Sequence, residues 1–144
     1  MHDLPHHYTV RAESAPGGNV SLTSPGLDEI VSAAPAEFGG PGDRWSPETL
    51  LVAAVADCFI LSFVAIARAS KLSWSGLRCG VTGTLDKVDG RMRFTHFELS
   101  AELDLPAGGD QGKGERLLHK AEDVCLITNS LSATTALTIA VGSE

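Results

Sequence analysis

The chain has 144 residues, which suits a single domain, residues 1–144, able to bury a core without cross-links. Its composition, 43% hydrophobic and 20% charged, is that of a globular protein. The net charge of −7, with 11 Lys and Arg scattered rather than clustered, argues against nucleic acid or an anionic membrane as a partner.

Residues 7–12 and 19–23 read as two strands joined by a turn at Pro16-Gly17-Gly18, and residues 27–33 as a third short strand. A loop rich in Gly and Pro fills 35–45. Ser46 is then a helix N-cap, Pro47 suits the first helical position, and Glu48 complements the positive helix end. The helix is expected to run to about residue 71. Residues 77–87 and 92–105 are strand-like, with Asp89-Gly90 supplying the positive φ of a hairpin turn. Residues 106–114 read as a loop, 115–124 as a second helix, and 135–141 as a closing strand. Mixed hairpins and helices, rather than a βαβ series, indicate an α+β fold.

From Leu50 to Ala67, 16 of 18 residues are apolar, the lower edge of a membrane span. Asp57 near the centre and five alanines speak against one, so the expectation is a soluble protein without a membrane partner. A helix apolar on all faces must be buried on all faces, and a chain this small has difficulty surrounding it. A second copy of the chain is therefore expected to help cover it.

Three cysteines do not make a disulfide framework, and the N-terminus lacks a basic segment followed by an apolar one. A reducing cytoplasm is the expected compartment. Cys58 within the long helix and Cys79 on a strand each read first as packed, inert thiols. Cys125, ending the second helix, is better placed to react. There is no C-x-x-C, H-x-x-x-H, G-x-S-x-G or phosphate-binding glycine loop, so no metal or bound cofactor is expected. His2, His6 and His7 read as a solvated end, and His96 and His119 as isolated strand and helix residues.

Two segments carry a resemblance. Ser46-Pro-Glu-x-Leu-Leu-x-x-Ala-x-x-x-Cys58, and Lys120-Ala-x-x-x-Cys125 followed by Asn129-Ser-Leu131, resemble the two cysteine segments of the OsmC/Ohr family, the osmotically inducible and organic hydroperoxide resistance proteins. The cysteines stand 67 residues apart, and the element order also agrees along nearly the whole chain. The resemblance implies an intertwined homodimer with antiparallel sheets wrapped around long central helices. It implies a thiol peroxidase for alkyl or fatty-acid hydroperoxides, with Cys58 oxidised to a sulfenic acid and Cys125 resolving it as a disulfide. An external dithiol protein of lipoyl type would reset the pair. The alternative is a non-catalytic dimer that binds a small hydrophobic or sulfur-containing ligand in the same cleft.

A thiolate in an apolar site needs a compensating cation. The family supplies an arginine, held by the glutamate that matches Glu48. Ten residues of helix place Glu48 about 15 Å along the axis from its own Cys58, so it is expected to serve the other chain of the dimer. The matching arginine position in the first hairpin is Asn19 here, which leaves Arg44 as the first candidate and Arg11 as the second. Phe59 and Phe63 are expected to line the substrate pocket. Leu126 replaces a usual proline, and Asp57 replaces a small residue, where its charge would raise the Cys58 pKa unless paired or turned away.

Overall fold

Three short strands open the chain: β1 (Arg11–Glu13), β2 (Val20–Thr23) and β3 (Ile30–Ser32). They pair antiparallel in that order and with no other strand. The loop after β3 is pinned back by a bridge from Ser32 to Trp45 and by the Ala33 N–H donating to the Trp45 carbonyl at 2.9 Å. This computed structural model describes residues 1–143. Contacts within the chain gather into two compact units, Met1–Leu50 and the remainder from Leu51, where the sequence suggests one domain. The reason is visible in the ladders, because the two sheets share no hydrogen-bonded strand pair.

The long helix α1 (Pro47–Ala69) starts where the sequence places it. The Ser46 hydroxyl accepts from the Thr49 N–H at 3.1 Å, and the Thr49 hydroxyl accepts from the Ser46 N–H at 2.8 Å. This is a reciprocal capping box with threonine in the usual glutamate position. The helix ends two residues earlier than expected. Lys71 takes a left-handed φ of 57°, and the Leu72 N–H reaches the Ala67 carbonyl at 2.9 Å, closing the helix as a Schellman turn.

The second sheet has the order β4-β5-β6, from β4 (Gly76–Val88), β5 (Arg91–Leu105) and β6 (Thr134–Ser143). The hairpin β4–β5 is antiparallel and turns on Asp89 and Gly90, both at positive φ, as read from the sequence. By contrast, β6 runs parallel to β5, so this sheet is mixed rather than wholly antiparallel. A parallel pair needs a long crossover. Here it is supplied by α2 (Gln111–Val124) and a one-turn helix, α3 (Leu126–Asn129).

The fold is α+β, and its core lies between α1, α2 and one face of the second sheet. Val55, Phe59, Phe63 and Ala67 recur every four residues along α1 and are fully buried. They meet Phe97, Leu99, Ala101, Leu103 and Leu105 of β5, and Leu118 and Ala121 of α2. Phe63 packs edge-to-face on Trp74 at 5.5 Å. A bulge opposite Thr84 and Leu85 lets Phe94 and Phe97 face the same side, where they stack at 5.3 Å. Gly83 lies beneath them, and a Cβ there would come within 3.0 Å of both rings and of Val52.

The expectation that α1 would be buried on all faces is not met within the chain. The helix is long and apolar enough to cross a membrane by composition, but only one stripe is enclosed, and Leu61 is 61% exposed. Truncating the stripe leaves a cavity in a packed interior, so Phe63→Ala should lower the unfolding free energy by about 3–5 kcal/mol. Tyr8→Ala, at an exposed residue, should cost less than about 0.5 kcal/mol. Denaturant titrations of the two variants check this, and equal losses would contradict the core assignment.

Candidate active site

The core stripe of α1 decides where Cys58 points. Cys58 precedes Phe59 by one residue, so with Phe59 fully buried it sits on the flank of the helix, half-buried. That flank faces the break between α2 and α3. The break occurs at Cys125, whose backbone is extended (φ −63°, ψ 108°) between the two helices. Its buried side chain packs within the unit, only 1% exposed. The first N–H groups of a helix have no partner within the helix. Those of Leu126 and Ile127, at the start of α3, are thus free to donate to sulfur.

The two thiols respond in opposite senses. Burial is the largest influence on Cys58 and would raise its pKa. Hydrogen bonds from the Ile127 N–H, the Cys125 thiol, the Ser62 hydroxyl and the Leu126 N–H together outweigh it, and the pKa falls below the ordinary thiol range. The Ser62 oxygen lies 3.9 Å from the Cys58 sulfur, one helical turn on. Burial also dominates at Cys125 and pushes its thiol up, eased in part by the backbone and hydroxyl of Thr128. Donating its proton to Cys58 raises it further. Cys58 is therefore the more acidic thiol of the pair, and Cys125 the one that holds its proton more tightly. Burial above all, with a smaller contribution from the proximity of Cys125, pushes Cys79 up to about 11.

An open pocket of about 410 Å³ reaches Cys58. Its walls are Ala54, Leu61, Leu126 and Ile127, and its polar side chains besides the thiol are Asp57 and Ser62. Phe59 and Phe63, expected as pocket walls, are instead fully enclosed in the core. The four-residue core spacing claims them, and Leu61 and Leu126 provide the apolar lining. Ser62, Leu126 and Ile127 were not anticipated as site residues. Ser62 could have been found from its i+4 spacing to Cys58. The two backbone donors carry no side-chain signal.

The remaining expected residues belong to the first unit. Arg44 lines a separate pocket there with Glu29, Asp43, Trp45 and Thr49. Arg11 is exposed and paired with Glu13 at 2.7 Å. Glu48 is half-buried, and its Oε1 is enclosed with no hydrogen-bond partner among the described residues. The groups that lower the Cys58 pKa are all hydrogen-bond donors of the second unit, none of them a charged side chain. No cluster of three metal-ligating side chains occurs among the described residues.

Residues 40–140 match the family described as OsmC-like protein. The chain belongs to the OsmC-like family. An organic hydroperoxide resistance protein of Xanthomonas axonopodis pv. citri is 30% identical, covering 85% of this chain and 86% of the relative. The uncharacterized protein YmaD of Bacillus subtilis is 27% identical, covering 92% and 91%. Among solved structures, an OsmC-like protein of unknown function from Vibrio cholerae superposes with a TM-score of 0.85 at 18% identity, covering 94% of this chain and 100% of that one. An organic hydroperoxide resistance protein from Legionella pneumophila gives 0.75 at 24% identity, covering 99% and 100%. These likenesses place the α+β fold in the same family.

Because only the thiolate reacts, alkylation by iodoacetamide should follow the order of acidity. Cys58 should reach half its limiting rate below the pH at which an ordinary thiol does, whereas Cys79 should require a pH near 11. Ser62→Ala removes a donor to the thiolate and should move the Cys58 midpoint upward. Rates followed by peptide mapping across pH measure both, and coincident midpoints for Cys58 and Cys79 would refute the site electrostatics.

Proposed function

We propose that the protein is a thiol-dependent peroxidase that reduces organic hydroperoxides, with Cys58 as the attacking thiol and Cys125 as the resolving one. The observation that carries this reading is the split pair: a thiol lowered in pKa and open to a pocket, beside a second thiol that is buried and raised in pKa. The family membership and the hydroperoxide resistance relatives support it.

In the proposed reaction the Cys58 thiolate attacks the distal oxygen of the hydroperoxide. The S–O bond forms as the O–O bond breaks, and the alkoxide leaves as the alcohol after taking a proton. Cys58 becomes a sulfenic acid. The neighbouring Cys125 sulfur then attacks the Cys58 sulfur. The hydroxyl group leaves as water and the disulfide closes. Turnover requires an external dithiol, of lipoyl type in this reading, which is oxidised to its own disulfide while both cysteines are reduced. A reducing cytoplasm would supply such a partner.

The same reading makes the working form a homodimer. The surface beside the pocket is apolar, with Leu61 of α1 61% and Leu126 of α3 65% exposed, and a second copy would cover it. The enclosed, unpartnered Glu48 Oε1 is suited to hold a guanidinium, and Arg44 is the arginine assigned to it. Both would serve the thiolate site across the dimer.

Steady-state peroxide consumption with a dithiol reductant tests the assignment. Cys58→Ser should abolish turnover. Cys125→Ser should still consume about one equivalent and then lose activity by over-oxidation of Cys58. Turnover of Cys58→Ser at the rate of the unmodified protein would reject the proposal.

A further inference from the structure

Asp57 is the one charged side chain lining the Cys58 pocket. It is exposed, adjacent to the thiol in sequence, and surrounded there by the apolar walls of Ala54, Leu61, Leu126 and Ile127. Among the described residues it makes no ion pair with any Lys, Arg or His, in contrast to Glu13, Glu98, Glu102 and Asp104, which each have one. A carboxylate that served only solubility would sit as well on the outer face of the sheet. Here it lines the pocket that reaches Cys58.

We propose that Asp57 is a specificity-determining residue that admits hydroperoxides uncharged around the peroxide group and disfavours those bearing a nearby carboxylate. The inference rests on the reading of Cys58 as the attacking thiol and narrows its substrates to neutral alkyl or aralkyl hydroperoxides. The physical basis is a like-charge penalty in a pocket whose other walls are apolar. The incoming anion meets a fixed negative charge and, among the described residues of its own chain that line the pocket, no cation, and the Asp57 contribution adds to that of any arginine brought by a second copy. The thiolate adds a second negative charge at the same place. Through water over a pocket's width, one such carboxylate should change a bimolecular rate by about two- to five-fold at low ionic strength, and less when salt screens it. The apolar walls still favour the hydrocarbon part of a neutral substrate.

The test uses two alkylating agents of nearly equal size, iodoacetamide (neutral) and iodoacetate (anionic). Each is attacked by the Cys58 thiolate at its methylene carbon, forming a C–S bond as iodide leaves. Both reactions need the thiolate, so any change in Cys58 acidity cancels from the ratio of their rate constants. At low ionic strength the amide-to-acetate ratio at Cys58, read by peptide mapping, should fall about two- to five-fold in Asp57→Asn. High salt should lower the ratio of the unmodified protein more than that of the variant, which keeps only the thiolate's repulsion at this place. The near-isosteric amide keeps the helix intact, and circular dichroism of the variant confirms its fold. An unchanged ratio shows that the charge is not felt at the sulfur and overturns the proposal.

A parallel comparison takes kcat/KM for cumene hydroperoxide and for its ring-carboxylated analogue. Asp57→Asn should narrow the preference for the neutral peroxide. If the alkylation ratio shifts but neither peroxide is consumed, the charge filter stands and the peroxidase reading fails. If both peroxides are consumed and the preference is the same in variant and unmodified protein, the peroxidase reading stands and the specificity role fails.

Discussion

The placement of the Cys125 thiol beside the Cys58 sulfur depends on two parts of the fold that share one core. One is the flank of a core helix, the other the break in a crossover between parallel strands. Each partner shifts the other's acidity. A half-buried thiolate is stable in apolar surroundings only if donors replace lost water. Cys125 supplies one, and the free N–H groups at the start of α3 supply two more. In turn, burial above all, and Cys58 beside it, raise the Cys125 pKa.

Everything that positions this pair is ordinary packing. The four-residue repeat of Val55, Phe59, Phe63 and Ala67 fixes the rotation of α1 on the sheet. The parallel pairing of β5 and β6 forces a crossover, and the crossover bends at Cys125. Gly83 lets the helix approach the Phe94–Phe97 stack closely enough for that rotation to be unique. A methyl group there would come to 3.0 Å from Phe94, Phe97 and Val52, and those side chains would have to shift.

The sequence carried much of this in plain sight and hid the rest for identifiable reasons. The helix start was legible because Ser46-Pro47 is a strong local signal, and the hairpin because Asp89-Gly90 is another. The start of α2 was placed four residues late. Gly112 and Gly114 read as loop, yet Asp110 caps the helix by accepting from the Lys113 N–H at 3.0 Å. Gly114 is tolerated because it packs under Leu103, where a Cβ would come within 3.0 Å. The parallel sense of β6 could not be read at all, since strand pattern sets faces but not direction. Cys58 and Cys125 were found by motif rather than by chemistry. Phe59 and Phe63 were misassigned because aromatic residues beside a cysteine suggest a pocket, whereas helical spacing, applied strictly, puts them in the core. The backbone donors of α3 had no signature, because any residue type offers an N–H.

The account stands or falls on whether the paired thiols act as a redox couple. Reduced protein treated with one equivalent of cumene hydroperoxide, then alkylated and mapped, tests this most directly. The account predicts the loss of two free thiols and a cross-linked peptide pair joining Cys58 to Cys125, with Cys79 still reduced. Full retention of both thiols, or oxidation confined to Cys79, would contradict it.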